Sequence, residues 1–184
     1  MAVNRRTVIK QFLFVASGVT LLPACLQEDK GKSSLLLKNM PINGQQEKNL
    51  AALAETIIPA TATPGAKDIS AHLFALQMLN DCHTKEDQQQ FLLGMGHFEK
   101  MVGDTYHQPF HQCSKTEREA LVAGIDGKKD LAPALAFFYN STKKLTIQAY
   151  STSQFYLTRV QVYTMVPGKY QGCVPVKNDL TKTS

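Results

Sequence analysis

The stretch NGQQEKNLAALAETIIP, residues 43–59, decides the fold. Asn43 is a residue type that caps helix N-termini, because its side-chain oxygen can take one of the free amides of the first turn. Leu50, Leu53, Ala54, Ile57 and Ile58 then recur at intervals of three and four. That spacing predicts a helix over residues 45–58 with one buried face. Pro59 ends it, since proline has no amide to give and clashes with the preceding turn.

The same period continues outward. Residues 60–67 (ATATPGAK) read as a loop, with Pro64-Gly65 as its turn. A second helix is expected over about residues 68–79, with Leu73, Phe74, Leu76 and Leu79 apolar. Thr84, with Asp87 three residues on, opens a third whose buried face is Phe91, Leu92, Met95, Phe98 and Val102. Residues 103–112 look irregular and contain Pro109. Ser114 and Glu117 form a capping box ahead of Leu121, Val122 and Ile125, and Asp126-Gly127 closes that helix. Pro133 suits a first helical turn leading to Leu135, Phe138, Leu145 and Ala149. Residues 152–166 are compatible with a helix or a strand, 166–168 with a turn, and 172–175 with an extended end. The expected fold is therefore all-α: a single bundle of five or six helices over residues 45–176. About 130 residues suffice to bury a real core.

The N-terminus has another character. Arg5-Arg6-Thr7-Val8-Ile9-Lys10 precedes an apolar run ending at Leu22. Paired arginines and a lysine before such a run form a twin-arginine export signal, which is read by a translocase that moves folded proteins. The run is about 11–14 residues, short of the roughly 20 that span a bilayer. Residues 1–24 are thus expected to be a cleaved leader, not structure. Leu22-Pro23-Ala24-Cys25 resembles a lipobox, with Cys25 as the acylated residue and a membrane anchor as the result. Residues 25–44 mix charge with Gly, Ser and Pro and read as a tether; residues 177–184 read as a polar tail.

Charge gives no nucleic-acid footprint. The chain has 20 basic and 15 acidic residues, a net charge of +5, and removing the leader's Arg5, Arg6 and Lys10 leaves 17 against 15, or +2. No basic cluster with interleaved aromatics occurs.

Motifs for chemistry are sparse. With Cys25 acylated, Cys82, Cys113 and Cys173 remain. An oxidising compartment allows one internal bridge, for which Cys82 and Cys173 are the candidates, with Cys113 left free or paired to another chain. Such a bridge would add about 4 kcal/mol in the chain-entropy picture. His107, His111 and Cys113 are the best metal-like cluster, but Pro109 interrupts the helical spacing that two histidines four apart would need. Cys82-His83 lacks the upstream cysteine of a haem attachment motif. Gly94-Met95-Gly96 sits within a helical pattern and reads as close helix packing, not as a dinucleotide loop. Residues 150–156 (YSTSQFY) have the polar-aromatic composition of an interface.

Three blocks carry a family resemblance. Residues 53–59 (LAETIIP) with 63–67 (TPGAK) form the first; Leu145-Thr146 with residues 150–153 the second; VPGKYQGCVP, residues 166–175, the third. Weaker similarity runs through residues 78–82 and Gln90-Phe91. Together they resemble the gluconate 2-dehydrogenase subunit 3 family. Ala149 and Gln154 depart from it, standing where the family has a glycine and an acid. The resemblance implies a small subunit without catalytic residues or cofactor of its own. Its partner would be a flavoprotein of the glucose–methanol–choline type that carries FAD, with a cytochrome c subunit bearing haem as a third component. The implied task is to accompany the folded flavoprotein through the twin-arginine route to the periplasm, stabilise it and anchor it there. The candidate partner-facing residues are Tyr150, Thr152, Ser153, Tyr156 and Tyr170. The competing readings are a stand-alone periplasmic lipoprotein that binds a ligand and, behind it, a small metalloprotein built on His107, His111 and Cys113.

Overall fold

The computed structural model describes residues 31–128, 130–161, 168 and 173. Among them are five α-helices: α1 Gly44–Ile57, α2 Ala71–Cys82, α3 Lys85–Tyr106, α4 Lys115–Asp126 and α5 Pro133–Ser151. A 3-10 turn, Phe110–Gln112, joins α3 to α4, and a π-helical turn, Tyr156–Val160, follows α5. The described residues contain no strand, only an isolated antiparallel bridge between Lys32 and Asn43. The fold is the expected all-α bundle. The leader with Arg5, Arg6, Lys10 and Cys25, together with Tyr170 and residues 177–184, lies outside the described residues.

Local chemistry explains the helix starts. Asn43 Oδ1 accepts from the Gln46 amide at 2.9 Å while Gln46 Oε1 accepts from the Asn43 amide at 3.1 Å, a reciprocal box at the start of α1. Thr84 Oγ1 accepts from the Asp87 amide at 3.2 Å. The Ser114 amide donates to Glu117 Oε2 at 2.7 Å, and Pro133 occupies the first turn of α5.

Two helices differ from expectation at their ends. α2 begins at Ala71, not 68, because Asp68 Oδ2 turns back to accept from the Gly65 amide at 2.9 Å and Ser70 adopts a left-handed backbone, φ 56°. α3 runs on through Gly103 to Tyr106, and left-handed His107, φ 55°, stops it. The irregular stretch therefore starts about a turn later than composition indicates.

Four phenylalanines form a contiguous group within a largely aliphatic core. Phe98 lies 5.0 Å from Phe110 and 5.4 Å from Phe138, centroid to centroid, and Phe91 lies 5.0 Å from Phe138. α3 and α5 approach closely at Gly94. A Cβ there would stand 2.6 Å from Phe138 Cβ and would run into the Ala134 carbonyl oxygen. Gly96 meets nothing within 4 Å. The packing reading of this pair therefore holds for Gly94 alone.

The supposed tether 25–44 needs correction in its second half. Met40 is 1% exposed and Ile42 9% exposed, both within the core, and Leu35 and Leu37 pack against it. Burying Met40 and Ile42 stabilises this arrangement by about 1.5–3 kcal/mol each. Glu47 on α1 accepts from Ser33 Oγ at 2.8 Å and from the Ser34 amide and hydroxyl at 2.7 and 2.6 Å. The Asn39 amide donates to Asn80 Oδ1, and Asn39 Nδ2 donates to the Asn80 carbonyl, both at 2.9 Å. The segment is a strap bound to the domain, because its apolar minority can be buried despite its polar composition.

Candidate functional site

Two resemblance blocks, separated by most of the domain in sequence, meet at one end of the bundle. Glu55 stands in the last turn of α1, where the helix dipole disfavours an acid. Its carboxylate bends over the following loop. Oε1 accepts from the Ala60 amide at 2.9 Å and Oε2 from the Lys67 amide at 3.1 Å. Gly65 permits this, since a Cβ there would lie 2.6 Å from Glu55 Oε2 and equally close to the Ala60 nitrogen. The Ala66 amide returns to the Ile58 carbonyl at 2.9 Å, and the Thr61 amide to Thr63 at 2.9 Å. An exposed loop without helix or strand thus has most of its amides satisfied internally.

Tyr150 on α5 completes the arrangement. Its hydroxyl donates to the Pro64 carbonyl at 3.1 Å. Its ring meets Phe155 and Tyr156 edge-on, with centroids 6.4 and 6.2 Å away. Such pairs are favourable in this geometry. Tyr150 therefore couples the second resemblance block to the first. Thr152 and Ser153 serve locally: Thr152 Oγ1 donates to the Gln148 carbonyl at 2.8 Å and Ser153 Oγ to the Tyr150 carbonyl at 2.7 Å. They shape the end of α5, with Thr152 exposed and Ser153 and Tyr156 half-buried.

Beside the loop opens a cleft of about 220 Å³ between the end of α1 and the start of α4. Glu55, Thr56, Pro59 and Ala60 form one wall, and Lys115, Arg118 and Glu119 the other. Lys115 pairs with Glu119 at 3.8 Å, both well exposed. Arg118 Nε is buried and has no hydrogen-bond partner.

The other sequence candidates do not converge. His107 is exposed at the end of α3. His111 points to Asn49: its Nδ1 lies 2.8 Å and its amide 3.1 Å from Asn49 Oδ1, which in turn places Asn49 Nδ2 3.0 Å from Glu99. An amide oxygen only accepts, so Nδ1 carries the proton. Burial lowers the His111 pKa, and the Lys48 charge adds to this. Cys113 Sγ is directed at the Pro109 carbonyl, 3.6 Å away, and burial pushes its thiol pKa up. Cys113 is 4% exposed. Among the described residues no three His, Cys, Asp or Glu side chains are gathered to hold a metal ion. Cys82, the last residue of α2, and Cys173 are both exposed, with free thiols in this structure. Likewise, no helix of the described residues is long and apolar enough to cross a membrane.

Glu55, Gly65 and Arg118 are the site residues that sequence reasoning missed. An acid in the last turn of a helix, against the dipole, was the available signal for Glu55. Nothing local marks Arg118.

Fold and site together define a helical domain in which two of the resemblance blocks meet at one end. The family model for gluconate 2-dehydrogenase subunit 3 matches residues 44–168, so the chain belongs to that family. It is accordingly an accessory subunit of a dehydrogenase complex. No curated protein and no solved structure matches it.

Proposed function

We propose that this chain is the non-catalytic small subunit of a periplasmic, FAD-dependent sugar or polyol dehydrogenase, and that it escorts the folded flavoprotein through twin-arginine export. The observation that carries this reading is the pairing of Arg5-Arg6 and Lys10 with a domain of this family. A leader for folded cargo is of use to a subunit whose partner must take up a flavin before crossing. The flavoprotein folds around FAD in the cytoplasm, docks on the helical domain and crosses on the small subunit's leader. A cytochrome c subunit with its haem completes the electron path.

Acylated Cys25 then holds the complex at the membrane. The strap makes that connection short. From Cys25 to Ser33, where Glu47 grips the chain, a fully extended backbone reaches only about 27 Å. The domain stays within that distance of the lipid surface.

The test is Arg5-Arg6→Lys-Lys in the native host. The flavin-bearing subunit is expected to accumulate in the cytoplasmic fraction. Its normal appearance in the periplasm would end the escort reading.

A further inference from the structure

The cleft between α1 and α4 holds four charged side chains, and three are already occupied. Both Glu55 oxygens accept loop amides. Lys115 and Glu119 pair with one another. Arg118 differs: no carboxylate of the described residues lies within ion-pairing distance of it, and its Nε is buried without an acceptor. Leaving a buried donor unsatisfied is costly, and a planar guanidinium is the cation best matched to a carboxylate. The free domain therefore keeps a guanidinium without an ion-pair partner among the described residues in the wall of a cleft beside the loop of the first resemblance block.

We propose that this cleft receives an acidic side chain of the dehydrogenase catalytic subunit, with Arg118 as its cation; this rests on the subunit role proposed above. Size favours a side chain over a cofactor. The volume of about 220 Å³ lies below the roughly 300–1,000 Å³ of small-molecule pockets. Position favours it too. Arg118 is in the first turns of α4, where the helix's partial positive charge adds to the attraction for an anion. The outer wall at Pro59 and Ala60 is exposed, uncharged and fixed in place by Glu55. A partner surface can therefore meet that wall without reordering it, which limits the entropy lost on docking.

The experiment co-expresses the full-length chain, tagged, with the FAD-bearing catalytic subunit of the same genome. Bound flavin per tagged chain is read by absorbance, and affinity by titration of the purified subunits. Arg118→Gln is expected to weaken the complex about 30-fold or more, the usual effect of removing one member of a buried charge pair. Arg118→Lys restores part of the loss, because it keeps the charge and loses the fork. Lys144→Gln, an exposed change on α5, leaves affinity unaltered. The Arg118→Gln chain on its own melts at the wild-type temperature, since Arg118 makes no ion pair within the described residues and its Nε has no acceptor. Wild-type affinity in Arg118→Gln overturns the proposal, as does a binding loss matched by a fall in melting temperature. A wild-type chain that holds no flavoprotein overturns the subunit role itself.

Discussion

Replacing Gly94 with alanine adds one methyl group at the closest approach of α3 and α5. That Cβ would stand 2.6 Å from Phe138 Cβ, against an optimal carbon–carbon separation of about 3.5–4.0 Å. It would also strike the Ala134 carbonyl oxygen, which is backbone and cannot rotate away. The two helices must separate by about 1 Å, and overpacking of this kind costs about 1–3 kcal/mol. The obstacle is rigid, so the upper part of that range applies. Alanine's better helix propensity returns about 0.8–1.0 kcal/mol. A net loss of about 2 kcal/mol results. With an unfolding entropy near 2.1 cal/mol/K per residue over roughly 130 residues, the melting temperature falls by about 7 °C. Gly96→Ala is the internal control. Its Cβ meets nothing within 4 Å, so only the propensity gain operates and the midpoint rises by about 3 °C. Circular dichroism melts of the two variants read both numbers. Opposite signs are the signature of the close crossing. If Gly94→Ala melts at or above wild type, or Gly96→Ala falls alongside it, the α3–α5 contact described here is wrong.

Acid should weaken the domain in a predictable window. Burial lowers the pKa of half-buried His72 below its ordinary 6.5, the Glu47 carboxylate opposing and Lys67 adding, while His111 is lowered in the same way. The unfolded chain takes up these protons first, so the contribution is full above about pH 6.5 and is lost as pH falls toward the depressed folded-state values. Urea midpoints are expected to drop between pH 7.5 and 5.5. His72→Gln should flatten that dependence in part, and an unchanged slope would remove His72 from the account. Tyr150→Phe deletes the bond to the Pro64 carbonyl and should cost about 1 kcal/mol. Amide exchange in residues 59–67 should quicken about fivefold, and unaltered protection there would show that Tyr150 does not hold the loop.

Much of the fold could be read locally. Asn43, Thr84, Ser114 and Pro133 each act within three residues of themselves, and each begins a helix as read. The apolar faces containing Leu50 and Leu53, or Phe91 and Phe98, follow from period alone, and those residues are buried. What escaped depends on distant partners or uncommon backbone. His107 and Ser70 adopt left-handed conformations that local rules assign to glycine or asparagine, so the ends of α2 and α3 were misplaced. Met40 and Ile42 sit in a polar segment, and only the finished bundle offers them a place to be buried. The site is the extreme case. Tyr150 and Pro64 are 86 positions apart, and no periodicity brings them together. The resemblance marked both blocks, but their contact is a tertiary fact.

The two acids of α1 sort the roles of its ends. Glu47 lies in the first turn, where the dipole favours a carboxylate. Burial alone would raise its pKa, yet the hydrogen bonds from Ser34 and Ser33 hold it below its ordinary value. It fastens the strap that leads back toward Cys25. Glu55 lies in the last turn, where the dipole opposes it, and bonds to the loop amides offset that cost. A helix of 14 residues separates its ends by about 20 Å. The strap at one end and the cleft at the other therefore do not compete for the same surface. Of the two carboxylates, Glu55 is the one whose position helix stability cannot explain, and it is the one that belongs to the family's first block. That contrast ties Glu55 to the loop and its cleft, not to the bundle that carries them.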